Sequence, residues 1–350
     1  MLKCGIIGCG VIAPTHLAGY QQIPGVEVVF FCDLVAEKAE KLAENIPGAK
    51  IFTDYREMLK EPELAAVSVC TDHASHAEIV CAAINAGKHV ICEKVPGRVS
   101  EDLTAMLAAA SARQEVVASG IFQHRFNRNN IALKELIAQN RFGKLLTANL
   151  NFACLRTNAY YEMDAWRGTK AGEGGGVLIN QAIHFLDQLR FLFGDVKKVA
   201  ATSANLTHQQ VIEVEDTVSM VAEFANGLFI TVNATNSASA KWRSALTICG
   251  TEMQVEFIDE KLSYLNGNDE TAVAEVREIL TNADSADEIH GKAYYGTGHT
   301  AQLTDFIRAI ESKTAPEVTL AEAAGSAAFV HAVYAACESG KWCEVQQFSK

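Results

Sequence analysis

Three features common in other classes of protein are missing from this chain of 350 residues. Apolar runs rarely exceed eight residues, whereas a membrane-spanning helix needs about 20, so we expect no membrane span. The net charge is −12 and no basic cluster is present, which argues against binding nucleic acid or an anionic membrane. The ten cysteines form no C-x-x-C pair, so we expect neither a metal site nor a disulfide framework.

The same composition indicates where the protein works. An apolar strand pattern begins at the second residue and leaves no room for a signal peptide. Several cysteines, among them Cys32, Cys70 and Cys92, lie near the ends of predicted strands, where they are typical small buried hydrophobes. We therefore expect a reducing, cytoplasmic compartment. The length predicts two globular domains of ordinary size.

The most informative stretch is the first 33 residues. The apolar run Leu2–Ile7 predicts a buried strand, which leads into the G-x-G-x-x-A turn Gly8–Ala13 and a helical pattern through Gln21. A second apolar run, Val26–Cys32, ends on Asp33. Strand, turn, helix, second strand and terminal acid together are typical of a dinucleotide-binding site. The alternative is a glycine turn with a structural role alone.

Each residue of this pattern has a physical role in holding a dinucleotide. Gly8 permits the tight turn, Gly10 lets backbone amides approach a pyrophosphate, and Ala13 lets the helix pack closely on the strand. Asp33 falls where a carboxylate accepts hydrogen bonds from the adenosine ribose.

Asp33 also indicates which dinucleotide is bound. A 2′-phosphate about 4 Å from this carboxylate would cost about 4 kcal/mol at an effective dielectric constant of about 20. Even half of that cost is roughly 30-fold in affinity. No arginine or lysine follows until Lys38, so nothing offsets the repulsion. The sequence therefore favours NAD over NADP.

Strand and helix patterns alternate up to about residue 122, which predicts an α/β domain with a doubly wound parallel sheet. Ligands of such sheets bind at the carboxyl ends of the strands, which selects Gly8–Ala13, Asp33, Thr71-Asp72 and Glu93-Lys94. After residue 123, strand patterns follow one another without helices and predict a second, α+β domain with an antiparallel sheet.

The predicted domains are residues 1–122, which bind NAD, and residues 123–350, which bind the substrate and form oligomers. It stays open whether the closing helices, near 299–311 and 320–338, pack back on the first domain. In the second domain, Asn226-Gly227 predicts a two-residue type I′ hairpin. The polar, acidic segment Asn266–Tyr295 receives no assignment.

The first candidate for the chemistry is the lysine of Glu93-Lys94-Val95-Pro96. It follows the predicted strand His89–Cys92 and would lie, partly desolvated, beside a nicotinamide at the cofactor end of the sheet. There its ammonium group would stabilise an alkoxide as a hydroxyl loses its proton. The alternative is a surface lysine in a β-α loop, and the sequence does not decide between the two.

The second candidate is the run Gly174–Asp187, in which three glycines precede a strongly apolar helical pattern. Asn180, His184 and Asp187 fall at i, i+4 and i+7 and predict one polar face. The glycines would let the backbone crowd a ligand, which favours a cleft over a histidine satisfied within the core.

Aromatic and guanidinium groups stand upstream of this run, in Tyr160-Tyr161 and Trp166-Arg167-Gly168. Such groups hold polyhydroxylated rings, although aromatic residues before a helix are often packing residues.

These residues occur in an order that resembles the glucose–fructose oxidoreductase / inositol dehydrogenase / MocA (Gfo/Idh/MocA) family over nearly the whole chain. The resemblance is carried by Gly8–Ala13, Cys70-Thr71, His76, Glu93-Lys94, Arg125-Phe126-Asn127, Trp166-Arg167 and Gly174–Asp187. It implies an N-terminal Rossmann domain and a C-terminal α/β domain on an open antiparallel sheet, whose outer face forms homodimers or homotetramers. It also implies hydride transfer between NAD(P) and a hydroxyl-bearing carbon of a sugar, cyclitol or related molecule.

Carried over by position, the resemblance makes Lys94 the catalytic lysine and His184 the catalytic histidine. Asn180 stands where many members have an aspartate. Because an amide does not accept a proton as a carboxylate does, the proton acceptor is expected to be His184, with Asn180 orienting the substrate. The Glu-Lys-Pro motif is also altered, since Val95 separates Lys94 from Pro96.

The resemblance adds further candidates for the two binding sites. For the cofactor they are Gly8, Gly10, Val11, Ile12, Asp33, Cys70, Thr71, His76, Glu93, Lys94, Gln123, Trp166 and Arg167. For the substrate they are Lys94, Arg125, Tyr161, Asn180 and His184. His299, in a predicted Gly298-His299 turn, is a further candidate to close over the site.

The expected reaction is oxidation of a secondary alcohol of a sugar, cyclitol or sugar derivative. His184 takes the hydroxyl proton, Lys94 stabilises the alkoxide, and a hydride passes to NAD. Two other functions stay open. One is cleavage of glycosidic bonds through a transient redox step on bound NAD, and the other is a non-catalytic NAD-binding sensor.

Overall fold

The computed structural model describes residues 1–284 and 298–348, which divide into two compact units. The first unit is Met1–Gln123 with the described part of Ile289–Ala327 and Phe348. The second is the described part of His124–Glu288 with Ala328–Gln347. Residues 298–327 therefore belong to the first unit. The sequence had left open whether the closing helices pack on the first domain, and this part of them does.

The first unit contains a six-stranded sheet in the order β3-β2-β1-β4-β5-β6, in which every neighbouring pair is parallel. The predicted doubly wound parallel sheet is therefore confirmed. Its strands are β1 (Leu2–Ile7), β2 (Val26–Cys32), β3 (Lys50–Phe52), β4 (Ala66–Val69), β5 (His89–Cys92) and β6 (Ala118–Gly120). Its helices are α1 (Ala13–Tyr20), α2 (Ala36–Ala43), α3 (Tyr55–Met58), α4 (His76–Asn85) and α5 (Ser100–Ala112).

Two apolar clusters hold this sheet, one on each face. Adjacent residues of a strand point to opposite faces, and Phe30 and Phe31 accordingly enter different clusters. The cluster around Phe31 also contains Leu303 and Phe306 of a later helix, α10 (Gly298–Ser312). This late helix is therefore part of the core of the first unit.

The second unit contains an eight-stranded sheet in the order β13-β12-β11-β7-β10-β9-β8-β14. The β10–β7 pair is parallel and the other pairs are antiparallel, as predicted for a mainly antiparallel sheet. The strands are β7 (Leu145–Leu155), β8 (Val196–Ala204), β9 (Thr217–Phe224), β10 (Phe229–Thr235), β11 (Ser237–Gly250), β12 (Met253–Ile258), β13 (Lys261–Gly267) and β14 (Cys343–Glu344). The helices are α6 (Arg128–Ala138), α7 (Asn158–Glu162), α8 (Ile183–Phe193) and α9 (Glu270–Asp284), while α11 (Leu320–Ser339) is shared by the two units.

Alternation along β7 decides which face of this sheet is buried. Ala148, Leu150 and Phe152 are buried, and Phe152 packs against Phe185 of α8 with ring centroids 5.2 Å apart. Asn151 lies on the opposite face and remains exposed. The inner face of the sheet therefore carries the core, and the outer face is polar.

The predicted type I′ turn at Asn226-Gly227 is wrong. Such a turn needs positive φ at both central residues, but Gly227 has φ 84° and Asn226 is not in that region. The amide of Gly227 donates to Phe224 O and the amide of Phe224 to Leu228 O, which makes a three-residue loop with a type I turn and a glycine bulge. The Asn226 side chain accepts from the Leu228 amide and donates to Phe193 O, and these bonds favour the longer loop.

Three local features complete the fold. Helix α5 begins at Ser100, and the Asp102 carboxylate in its first turn accepts the Arg98 and Val99 amides. Helix α9 and the end of β13 lie in residues 266–284 of the unassigned segment, and the rest of it lies outside the described residues.

Helix α11 is long and apolar enough to cross a membrane, but 67% of its apolar window is buried within the protein, as in a core helix.

All ten cysteines are free thiols. Five of them lie at or near the strands of the first sheet and are almost fully buried: Cys4, Cys9, Cys32, Cys70 and Cys92. Burial raises the pKa of the Cys4 thiol to about 12 and the pKa of the Cys70 thiol well above its usual value. These cysteines are therefore neutral packing residues, as the sequence indicated.

Candidate functional site

The glycine turn after β1 has the geometry that a dinucleotide needs. Gly8 has φ +88°, and a Cβ there would lie 2.7 Å from the backbone of Cys70 and Thr71. A Cβ at Gly10 would meet nothing within 4 Å, so the backbone faces open space. Helix α1 begins at Ala13, and among the described residues no side chain caps it. Its N-terminal end therefore suits a phosphate.

The Asp33 carboxylate is held at the end of β2 by two backbone amides. Its Oδ2 accepts from Cys9 N at 2.8 Å and its Oδ1 from Val35 N at 2.9 Å. Each oxygen retains a lone pair for a hydroxyl donor. Because Cys9 belongs to the glycine turn, its bond to Asp33 holds the carboxylate that would accept from a ribose close to the turn that would bind the phosphates. These residues fit NAD.

The loop after β5 carries Lys94, whose side chain is half-buried. Lys94 follows Glu93, whose carboxylate Oε1 lies 2.9 Å from His16 Nε2 and 3.7 Å from His299 Nε2. Burial alone would raise the pKa of Glu93, but the two imidazoles outweigh it and hold the pKa well below its usual range. Ser68 completes the cluster, since its Oγ lies 3.0 Å from His16 Nδ1.

Two of the predicted residues, His299 and His76, have partners within the first unit. His299 lies in the first turn of α10 and is 4% exposed, so it belongs to the Glu93 cluster and does not form a turn closing over the site. His76 is fully buried, with Nδ1 2.8 Å from Val95 O and Nε2 3.2 Å from Thr71 O. It braces the loops that carry Thr71 and Lys94, and the Lys94–Val95 peptide bond there is cis.

In the second unit, the run of glycines leads into a helix whose first turn is irregular. Leu178–Ala182 is π-helical and continues into α8. A π-helical turn adds a residue and is frequent at functional sites. It disrupts the predicted i, i+4, i+7 face, and Asn180, His184 and Asp187 each meet different partners.

Packing within the protein requires two of these glycines. A Cβ at Gly175 would lie 2.0 Å from Tyr334 Oη, and a Cβ at Gly176 would lie 1.8 Å from Glu215 O. A side chain at either position would collide with Tyr334 or Glu215, so packing alone accounts for these two glycines. Glu215 accepts from Gly176 N at 2.9 Å, from Leu178 N at 3.1 Å and from Tyr334 Oη at 3.0 Å.

His184 is half-buried, which fits an accessible imidazole better than a core histidine. It stacks on His124, with ring centroids 5.2 Å apart. One turn later, Asp187 is fully buried and binds Arg125 in a bidentate pair, with Nε–Oδ2 at 2.8 Å and Nη2–Oδ1 at 2.6 Å. Arg125, predicted to contact the substrate, thus uses this face of its guanidinium to anchor α8.

Asn180 lies in a polar cluster with the predicted aromatic and guanidinium groups. Its Nδ2 donates to Glu173 Oε1 and lies 3.4 Å from Tyr160 Oη. Arg167 Nη1 donates to Tyr160 Oη at 2.7 Å, and its guanidinium lies over the Tyr160 and Trp166 rings.

Tyr161, the tyrosine that the sequence favoured, is buried instead. Its hydroxyl accepts from Asn236 Nδ2 at 2.8 Å, and Asn236 in turn donates to Gln181 Oε1 at 3.1 Å. Of the two adjacent tyrosines, Tyr160 is thus the one that reaches Asn180.

The predicted residues therefore form two sets. The first unit brings together the glycine turn, Asp33, Thr71 and the Glu93-Lys94 loop, and the nearly buried Cys70, Glu93 and Gln123 line its interior. The second unit brings together Asn180, Trp166 and Arg167 around Tyr160, with His184 on α8.

Sequence reasoning missed Glu173, Glu215 and His16. The signal for Glu173 was an acidic residue inside a glycine run. Within the described residues no group of three or more histidine, cysteine or acidic side chains is arranged to hold a metal.

Comparisons with known proteins agree with this geometry. Residues 2–121 match the family model described as the oxidoreductase family, NAD-binding Rossmann fold (GFO_IDH_MocA). Residues 134–345 match the model described as the oxidoreductase family, C-terminal alpha/beta domain.

Curated relatives match at full or nearly full length. The chain is 28% identical to a 1,5-anhydro-D-fructose reductase of Ensifer adhaerens over 349 residues, 99% of each protein. It is 25% identical to a myo-inositol 2-dehydrogenase of Thermotoga maritima, over 91% of each. Among solved structures, the WlbA dehydrogenase of Bordetella pertussis in complex with NADH and UDP-GlcNAcA matches with a TM-score of 0.88 at 26% identity. That match covers 99% of this chain and 98% of WlbA.

The buried Glu215 makes stability depend on pH. Burial raises its pKa from 4.5 to about 7, although three hydrogen bonds oppose the shift. The stability gained from the protonated form is complete below the unfolded pKa and is lost as the pH rises from about 4.5 to about 7. We expect Glu215→Gln to lack this loss, which amounts to up to about 1.4 kcal/mol per pH unit in that window.

The measurement is urea unfolding at a series of pH values, followed by tryptophan fluorescence. All three tryptophans, Trp166, Trp242 and Trp342, lie in the second unit with Glu215. Glu213→Gln, an exposed neighbour, is the matched control. Parallel pH profiles for wild type and Glu215→Gln would contradict the raised pKa.

Proposed function

Because this chain belongs to the Gfo/Idh/MocA oxidoreductase family, we propose that it oxidises a secondary hydroxyl of a sugar, cyclitol or sugar derivative with NAD. The observation that carries this proposal lies within the first unit. The glycine turn follows β1 and Lys94 follows β5, so both lie at the carboxyl edge of one parallel sheet. The substrate class is supported by the relatives that act on anhydrofructose and myo-inositol.

The chain's own residues divide the chemistry as follows. Bound NAD supplies the hydride acceptor. The half-buried ammonium of Lys94 stabilises negative charge on the substrate oxygen, and the half-buried imidazole of His184 accepts the hydroxyl proton. The loop of Lys94 is set by Glu93 and His76, and the helix of His184 by the Arg125–Asp187 pair. Asn180 orients the substrate.

An NADH-absorbance assay across a panel of sugars and polyols tests the activity. We expect net NADH formation with at least one secondary alcohol. Product formation without a net change in NADH would favour glycosidic cleavage through transient redox, and NAD binding without turnover of any compound would favour a sensor.

Loss of the proton acceptor should reduce turnover and leave cofactor binding unchanged. Positioned proton transfer contributes 10²- to 10⁴-fold, so His184→Ala is expected to lower kcat by about that factor. Lys94→Met is expected to lower kcat as well, because the charge on the substrate oxygen loses its partner. Calorimetric titration with NAD checks that binding persists.

The matched control for the lysine is Lys60→Met, which removes an exposed lysine of the first unit. Wild-type turnover in His184→Ala with a true substrate would show that the assignment is wrong.

We propose that NAD is preferred over NADP because of Asp33. Its carboxylate follows β2, the position that binds the ribose in sheets of this kind, so its charge would repel a 2′-phosphate. Asp33→Asn removes this charge and keeps one oxygen to accept a backbone amide. We expect the ratio of the NADP to the NAD dissociation constant to fall at least about 10-fold in this variant, since a repulsion of about 2 kcal/mol corresponds to roughly 30-fold. Glu37→Gln, which neutralises an exposed acid of α2, should leave the ratio unchanged. An unchanged ratio in Asp33→Asn would exclude Asp33 as the determinant.

We propose a homodimer or homotetramer formed through the outer face of the second sheet. This face presents uncharged side chains joined across strands, such as Ser219 to Asn233 at 2.8 Å and Asn233 to Asn151 at 3.0 Å. The apolar Val221 and Phe229 are 37% and 48% exposed. A face on which exposed apolar groups stand among these uncharged polar groups suits a second copy.

The assembly is tested by light scattering after size-exclusion chromatography. Val221→Glu together with Asn233→Glu is expected to give monomers, because two like charges would be buried without partners of opposite sign. Lys60→Glu, in the first unit, should not change the mass. A wild-type monomer, or an unchanged oligomer in the double variant, would contradict the interface.

A further inference from the structure

Glu173 is an acidic side chain held inside the protein beside Asn180. It lies between Gly172 and Gly174 and is 1% exposed. Its Oε2 accepts from Gly168 N, and its backbone amide donates to Thr169 O at 2.9 Å. The other oxygen, Oε1, accepts a hydrogen bond from Asn180 Nδ2. One carboxylate oxygen thus holds the loop and the other holds Asn180.

Glu173 is surrounded by groups that donate to it or carry positive charge. The Gly168 amide donates to it, and the guanidinium of Arg167 is close enough for the two charges to interact. An ionised carboxylate accepts hydrogen bonds and donates none. The NH₂ group of Asn180 must therefore face Glu173, and its carbonyl oxygen faces the other way. Asn180 is half-buried.

This arrangement decides what Asn180 offers to a substrate. An amide has a donor end and an acceptor end, and in isolation it can turn either way. With its donor end bound by Glu173, Asn180 presents an acceptor, which matches the O–H of an alcohol. Tyr160, whose hydroxyl lies 3.4 Å from Asn180 Nδ2, is on the donor side of the amide as well.

We propose that Glu173 is a positioning residue that fixes the Asn180 amide as a hydrogen-bond acceptor for a second hydroxyl of the substrate, next to the one whose proton His184 accepts. The two side chains form a carboxylate–amide pair whose members can be exchanged without loss of the acceptor. This inference rests on the proposed function, because it assigns Asn180 to substrate orientation. It makes the enzyme select substrates with a second hydroxyl group at this position, since a carbonyl group or an ether oxygen cannot donate to Asn180.

Glu173→Gln separates this role from a structural one. The carbonyl oxygen of the introduced glutamine can still accept from Gly168 N, so the loop keeps its bond, but the NH₂ group then faces Asn180. Asn180 must turn its carbonyl inward and present its NH₂ to the substrate. We expect KM for the alcohol to rise at least about 10-fold, the scale of one lost hydrogen bond to a polar group. Affinity for NAD and thermal stability should stay close to wild type.

Exchanging the pair gives the sharper test. Asn180→Asp alone places two carboxylates in contact, so one must take up a proton. Stability of this variant should then fall as the pH rises from about 5 to 8, because the folded state holds a proton that the unfolded state releases. In the double variant Glu173→Gln/Asn180→Asp, the NH₂ of the introduced glutamine meets a single carboxylate, which again presents an acceptor. We expect the pH-dependent loss of stability to disappear and KM to return to within about threefold of wild type.

The outcomes separate this inference from the proposed function. Glu162→Gln, on the exposed surface of α7, is the matched control. Wild-type oxidation of an alcohol with an unchanged KM in Glu173→Gln would overturn the inference and leave the function standing. A double variant whose KM is raised by as much as the two single substitutions together would raise it would overturn the inference too. The unfolding measurements need no substrate, so they test the pair even if no alcohol is oxidised, which would itself reject the proposed function.

Discussion

A carboxylate removed from water must be given hydrogen-bond donors, and this constraint shapes both units of the protein. Of the five described acidic side chains that are at most 9% exposed, four serve as examples, and each obtains donors of a different kind. Glu93 has two imidazoles, Asp187 has a guanidinium, Glu173 has an amide side chain and a backbone amide, and Glu215 has two backbone amides and a phenol. Three of these groups lie within a few residues of a position assigned to the chemistry, and Glu215 binds the backbone just before Asn180. The buried acidic side chains therefore hold in place the backbone and side chains that carry the half-buried reactive groups.

The order of elements in the first unit could be predicted because most of its strands are short apolar runs that end next to a glycine or a polar residue. A parallel strand buried on both faces needs no alternation, and the carboxyl ends of the strands then fall at one edge. Asp33 illustrates this logic, since its place at the end of β2 is visible in the sequence and its bonds to Cys9 and Val35 follow from that place. The alternation of β7 was equally visible, because its inner face meets the core and its outer face does not.

What could not be predicted depends on contacts between residues distant in the chain. The turn at Asn226 follows from a bond to Phe193 O, which no local pattern contains. The glycines before α8 are required by Tyr334 and Glu215, so a run that resembles a ligand-binding loop is also a packing requirement. The π-helical turn at Leu178–Ala182 changes the spacing on which the prediction of a single polar face relied. His299 was misplaced because its partner, Glu93, is 206 residues away in sequence.

The buried thiols of the first unit can report its opening motions. Cys4, Cys9, Cys32, Cys70 and Cys92 are almost fully covered, and burial raises their pKa values to about 12 or well above the usual value. Alkylating reagents attack the thiolate and need access to it, so these sulfurs react only while the sheet is transiently open. The nucleotide-binding unit thus contains five natural labelling positions spread over four of its strands. Their rates of modification measure how often each part opens, without any engineered probe.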